Sequence, residues 1–180
     1  MSKTTWHTMM SLDGFIAGPE HSMEWAFEQG GGPNAIADSV RDATGAILAG
    51  RRWHDVAVER YDGVGGIYGG AWSGPVLVLT HRPGDQPGEG VTFISGSVED
   101  AVGATKEVAG GRDIVIFGAA TATQVLEAGL LDEIVVHVAP LLLGDGVRLY
   151  GAPGLERVDL ERTELGSSGQ LTSLRFRVVR

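Results

Sequence analysis

The sequence predicts an α/β fold whose central sheet is mostly parallel and whose C-terminal strands run antiparallel. Three observations predict it. Short apolar runs at 46–49, 76–80, 91–94 and 113–117 are separated by helical periodicity or by Gly/Pro-rich loops. The run at 76–80 (VLVLT) lacks polar alternation, as a strand covered on both faces does. The alternation of strand and helix stops near residue 130. After it, 132–139, 155–164 and 170–179 read as strands without intervening helices, the pattern of antiparallel neighbours.

Taken in order, residues 4–10 form a first strand that leads into SLDGFIAGP, where Asp13-Gly14 is a turn. A Gly-rich stretch follows to Pro33. Asn34 is a plausible N-cap for a helix through Thr44, with Ile36, Val40 and Ala43 on one face and Gly45 as the stop. The strand 46–49 runs straight into Gly50-Arg51-Arg52-Trp53-His54, the start of another helix. Residues 62–74 (DGVGGIYGGAWSG) are too flexible in composition for a regular element. Ser97, with Asp100 three residues on, opens a helix that repeats Val98, Ala101, Val102, Thr105 and Val108. The strand 113–117 feeds a last helix closed by Gly129.

Composition narrows the function. The chain has 180 residues, enough for one domain with one core, and its zero cysteines exclude disulfide frameworks, thiolate metal sites and cysteine nucleophiles. A net charge of -9 argues against nucleic acid or an anionic membrane as partner. With no signal peptide and no apolar run long enough to span a bilayer, a cytoplasmic location is expected. The histidines show no metal-ligand spacing, and His7 and His137, both on strands, are expected to be hydrogen-bonded and half-buried. No G-x-G-x-x-G follows a strand, and no Walker motif, G-x-S-x-G or H-E-x-x-H occurs.

The chemistry-bearing pattern is a buried strand, a glycine and a helix N-terminus, found at Gly50-Arg51-Arg52 and again at Gly118-Ala119-Ala120-Thr121. Unsatisfied N–H groups at a helix start attract anions, and glycine lets the anion come close. Two such turns in one sheet lie together at the carboxyl ends of the strands, where open α/β sheets bind nucleotides. Thr80-His81-Arg82, at another strand end, offers a third phosphate contact.

SLDGFIAG, ILAGRRW, VLVLTHR, IVIFGAA and above all LEAGLLDEIVVHVAPLLLGDGVRLY resemble the dihydrofolate-reductase-like superfamily, closest to stand-alone relatives of the reductase domain of bacterial riboflavin biosynthesis proteins. The resemblance covers residues 5–179. It implies a three-layer fold with helices on both faces of the sheet, NADPH as hydride donor, a small-molecule substrate and a homodimer. By matching motif, Gly50, Arg51, Arg52 and Trp53 would meet phosphates; Thr80, His81 and Arg82 the adenosine 2′-phosphate; and Gly118, Ala119, Ala120 and Thr121 the pyrophosphate. Ile16 and Ala17 would lie against the nicotinamide, with Gly144 and Asp145 near the same end.

The substrate side departs from both branches. Folate reductases hold the pteridine with a carboxylate where this chain has Asn34. The riboflavin-type enzyme meets a phosphorylated substrate, yet the loop 18–33 carries Glu20, Glu24 and Glu28 and no Lys or Arg. The fused zinc deaminase of the bifunctional proteins has no counterpart in these residues. Asp13 and Glu24 are the carboxylates near the expected nicotinamide, candidates to orient substrate or supply a proton if burial against Phe15 or Trp25 raises their pKa. The reading is therefore a reductase acting on a small heterocyclic or carbonyl substrate. A true folate or pterin reductase and a nucleotide-binding module without turnover are the alternatives.

Overall fold

The four short apolar runs become adjacent strands of one sheet. The computed structural model describes residues 2–29, 32–82 and 87–180. Its strands are Thr4–Ser11 (β1), Phe15–Ala17 (β2), Thr44–Gly50 (β3), Val76–Leu79 (β4), Val91–Ile94 (β5), Asp113–Phe117 (β6), Glu133–Ala139 (β7), Val147–Arg148 (β8), Leu160–Ser168 (β9) and Leu171–Val178 (β10). The helices are Glu24–Gln29 (α1), Ala35–Ala43 (α2), Arg51–Arg60 (α3), Val98–Val108 (α4) and Ala119–Glu127 (α5).

The main sheet runs β5-β4-β3-β6-β1-β7-β10-β9. Every neighbouring pair from β5 to β7 is parallel, whereas β10 is antiparallel to β7 and β9 antiparallel to β10. Strand alternation sends Trp6, Leu48, Ile114, Ile116 and Ile134 into a core with Ala101 and Val102 of α4 and Ala122, Val125 and Leu126 of α5. Ile47, Ala49, Val76, Val78, Val115 and Val135 face the other way, against Ile36 and Val40 of α2. The middle strands are thus covered on both sides, and each wholly buried Ile, Leu or Val contributes about 1.5–3 kcal/mol.

Helix starts follow their caps. Asn34 accepts the Ala37 N–H and Ser97 accepts the Asp100 N–H, so α2 and α4 begin where the sequence places them. Gly45 is not the stop of α2. Thr44 is, its hydroxyl donating to the Val40 carbonyl at 2.6 Å, and β3 begins at that same residue.

Three expectations are corrected. The stretch before Pro33 contains α1, fixed by Trp25 and Ala26 packing on Ala139 and Leu171, a tertiary contact no local pattern announces. Residues Gly63–Gly70 coil as 3-10 turns with Ile67 buried, although Tyr68 and Gly69 are left-handed. β9 spans 160–168 rather than 155–164, and the two-residue β8 pairs with β2. Gly30 and Gly31 of the first glycine cluster, and the loop 83–86, lie outside the described residues. Among the described residues no helix is long and apolar enough to cross a membrane.

Candidate active site

β3 and β6 are neighbours, so the two glycine turns lie side by side at their carboxyl ends. A Cβ on Gly118, whose φ is 92°, would lie 3.4 Å from Trp53 Cβ and 3.8 Å from the Gly50 nitrogen. A Cβ on Gly50 would meet Thr121 Oγ1 at 2.5 Å. The two helices that start there differ from the other pair. Neither Gly50 nor Gly118 supplies a side-chain cap, so the first-turn N–H groups of α3 and α5 are left for an outside acceptor, in contrast to the capped α2 and α4. Adjacent uncapped N-termini concentrate positive dipole ends at one place.

A cleft of about 530 Å³ opens beside the start of α5. Ala119 and Ala120, expected at the pyrophosphate, and Gly144 and Asp145, expected at the nicotinamide end, all line it, with Phe15 and Arg148 among its other walls. Ile16 and Ala17 do not line it; both are buried, Ile16 in the core with α5 and Ala17 beneath Gly146. Phe15 lines it, with the Arg148 guanidinium 4.5 Å from its ring centre. Arg148 is a cation that the motif reading overlooked, because it belongs to the two-residue β8.

Asp13 holds this end together. Its carboxylate accepts from Ser11 Oγ at 2.6 Å, Leu143 N at 3.0 Å and Gly144 N at 2.7 Å. Those bonds, the Ser11 bond first, lower its pKa to about 2. Glu24 is exposed in the first turn of α1, where its own backbone N–H and then the Tyr61 hydroxyl keep its carboxyl below the usual range. The expected rise through burial is therefore reversed at both residues, and neither carries a proton to give near neutrality. Asp13 acts as a clasp between the β1–β2 turn and the loop 140–146.

The cationic residues diverge. Arg52 and His81 are exposed, and buried Thr80 turns its hydroxyl back to accept the Arg82 N–H at 3.1 Å. Arg51 lies along α3, its Nε 2.6 Å from Asp55 and its guanidinium 4.8 Å from the Phe93 ring centre. Arg82 reaches to 4.0 Å from the same Asp55. Trp53 tilts over Phe117 at 5.0 Å, walling the Gly118 turn.

A polar cluster that no motif announced lies on the α2 face. His7 Nε2 and His137 Nε2 are 2.7 Å apart, His7 Nδ1 is 2.7 Å from the Tyr68 hydroxyl, and His137 Nδ1 is 2.7 Å from Ser173 Oγ and 3.2 Å from Asn34 Nδ2. Both histidines are hydrogen-bonded as expected, but buried rather than half-buried, and bonded to each other. The Asn34 cap fixes the direction of the network. Its Oδ1 is taken by the Ala37 N–H, so its amide N–H groups face Ser173 and His137. His137 Nδ1 is then an acceptor, His137 Nε2–H donates to His7 Nε2, and His7 Nδ1–H donates to Tyr68. Burial, then His137 and Arg175, lowers the His7 pKa to about 3, and burial lowers that of His137 to about 4. Burial likewise pushes the Tyr68 phenol up. Asn34 thus heads a buried polar network, with its amide committed inward.

Comparison with known proteins agrees with this architecture. Residues 97–172 match the RibD C-terminal domain. The uncharacterized protein YwjB of Bacillus subtilis is 26% identical over 157 residues, 82% of either chain. The crystal structure of a candidate riboflavin biosynthesis protein from Shewanella sp. PV-4 superposes with a TM-score of 0.81 at 22% identity, covering all of both chains. Dihydrofolate reductase from Enterococcus faecalis, complexed with NADP(H), superposes at 0.62 and 13% identity over 99% of this chain and 97% of its own. The chain therefore has the dihydrofolate-reductase-like fold from end to end and, over residues 97–172, the likeness of a RibD C-terminal domain.

Proposed function

We propose that the chain is an NADPH-dependent reductase that delivers hydride to a small heterocyclic or carbonyl substrate. The observation that carries the reading is the pair of uncapped helix N-termini, α3 at Gly50 and α5 at Gly118, set side by side at the head of β3 and β6. Unsatisfied N–H groups need an acceptor, and the two turns are held against each other by close contacts, Gly50 against Thr121 and Gly118, at φ 92°, against Trp53. The residues present fit the cofactor. Gly50 to Trp53 and Gly118 to Thr121 would hold its phosphates, Thr80 to Arg82 its adenosine end, and the cleft between Phe15, Ala119 and Gly144 its nicotinamide end. When bound, NADPH supplies the hydride. The chain's own part is to orient the two reactants and exclude water from the space between them. With Asp13 and Glu24 both ionised, the accompanying proton comes from solvent.

The Asn34 amide, bonded to His137 and Ser173, stands where folate reductases carry a carboxylate, which argues against a cationic pterin as the natural acceptor. The relatives named for riboflavin biosynthesis favour a pyrimidine-like ring.

The test is direct. NADPH fluorescence should be shifted or quenched on mixing with the protein, and unchanged fluorescence would remove the cofactor site altogether. Loss of nicotinamide absorbance is then followed against dihydrofolate, pterins and ribityl-pyrimidines. Binding without oxidation by any of them leaves a nucleotide-binding module; preferential oxidation by dihydrofolate identifies a folate reductase.

A further inference from the structure

The carboxylate of Asp55, on the second turn of α3, lies among the groups expected to grip the adenosine phosphate. It accepts from Arg51 Nε at 2.6 Å, faces His54 Nδ1 at 3.3 Å and stands 4.0 Å from Arg82 Nη2. The surrounding groups are fixed by packing. The Arg51 guanidinium lies on the Phe93 ring, and buried His54 meets the same ring edge-on at 5.2 Å. Asp55 itself remains 41% exposed, so it is open to a ligand as well as to the arginines.

We propose that Asp55 sets the choice between the two nicotinamide cofactors and opens the site to NADH. The inference rests on the cofactor reading above and deepens it. A 2′-phosphate brought to Arg51 and Arg82 meets two guanidinium groups whose charge Asp55 already offsets, and it meets the carboxylate itself at close range. A ribose bearing a free 2′-hydroxyl finds in the same carboxylate a hydrogen-bond acceptor, the arrangement by which dinucleotide sites favour the unphosphorylated ribose. Arg82 is mostly exposed and its long stem can bring the guanidinium to a phosphate when one is present, so the site accepts both forms.

The adenosine halves of the cofactors test this without turnover. Titration calorimetry of the whole chain with 2′,5′-ADP and with 5′-AMP should give affinities within about tenfold of each other. Asp55→Asn should tighten 2′,5′-ADP by about threefold to tenfold and leave 5′-AMP unchanged or weaker. Asp55→Ser, which removes the charge by a different route, should move the ratio the same way, with thermal unfolding confirming that both variants fold. An unchanged ratio, or weaker 2′,5′-ADP binding in both variants, overturns the proposal and makes Asp55 an anchor for the arginines. If neither nucleotide binds the unaltered chain, the cofactor site falls and this inference with it.

Discussion

His7 and His137 are neutral because burial makes charging them costly, and this couples stability to pH. In the unfolded chain both titrate near the ordinary histidine value of about 6.5. In the fold their pKa values are lowered to about 3 and about 4. Between those limits the unfolded state binds more protons than the folded one, so stability is at its full level above about pH 6.5 and declines as pH falls toward 4 and below. Denaturant midpoints measured across that window should drop on acidification, and His7→Asn should flatten the slope; a profile equally flat in the unaltered chain would contradict the buried neutral pair. Asn34→Asp offers a second check at the same place. It keeps the cap on Ala37 but sets a carboxylate beside His137 Nδ1, so the His137 pKa should rise back toward the ordinary range in an NMR titration. The pair was not legible in the sequence, since residues 130 positions apart become neighbours only through the parallel β1–β7 register, which sets His7 against Val135 and Met9 against His137. Asn34 was legible as a cap, and its inward-facing amide was not.

Helix starts divide by purpose, and substitutions should show it. Ser97 caps α4 with its own side chain, so Ser97→Ala should cost about 1 kcal/mol of stability, read by thermal unfolding. Gly118 heads α5 at φ 92°, and its missing Cβ faces Trp53 and the Gly50 turn. Gly118→Ala should cost about 1–3 kcal/mol through backbone strain and also weaken NADPH, as read by fluorescence titration. NADPH affinity in Gly118→Ala equal to that of the unaltered chain would detach the α5 N-terminus from the cofactor. Gly50, Gly118 and the apolar strands 91–94 and 113–117 were readable because each rule there is local: a β-branched run, a glycine, a helix period. The elements missed are the short ones. α1 is held by Trp25 against Leu171, and β8 exists because Gly146, at φ 133°, lets its backbone close on the Ala17 carbonyl, a contact any Cβ would block. The same dependence on distant partners hid the clasp at Asp13, read locally as turn chemistry and found to tie residues 130 positions apart.

At the scale of the whole molecule, the sheet ends at β5 on one side and β9 on the other. β5 has four residues, whereas β9 has nine, most of them exposed, with Leu160 and Leu165 among the exposed apolar side chains. β9 pairs with β10 along one side only, and a long open edge of this kind is usually covered. We propose that a second copy of the chain covers it. If two β9 strands pair antiparallel about a two-fold axis at Thr163, Arg162 of one chain stands opposite Glu164 of the other, and the pairing occurs twice across the interface. Light scattering should therefore give twice the chain mass. Arg162→Glu would set like charges opposite each other and should lower the dimer fraction, while Arg162→Glu combined with Glu164→Arg should restore it. The restoration has to overcome the loss of the Glu164–Arg175 ion pair within each chain, and that pair is partly exposed and worth about 1 kcal/mol or less, so the interface effect should dominate. A monomeric mass for the unaltered chain at high concentration, or a dimer indifferent to both variants, would place the contact elsewhere or remove it. The cleft at the head of β3 and β6 lies at strand ends rather than along this edge, so the single Arg162 variant should bind NADPH as the unaltered chain does.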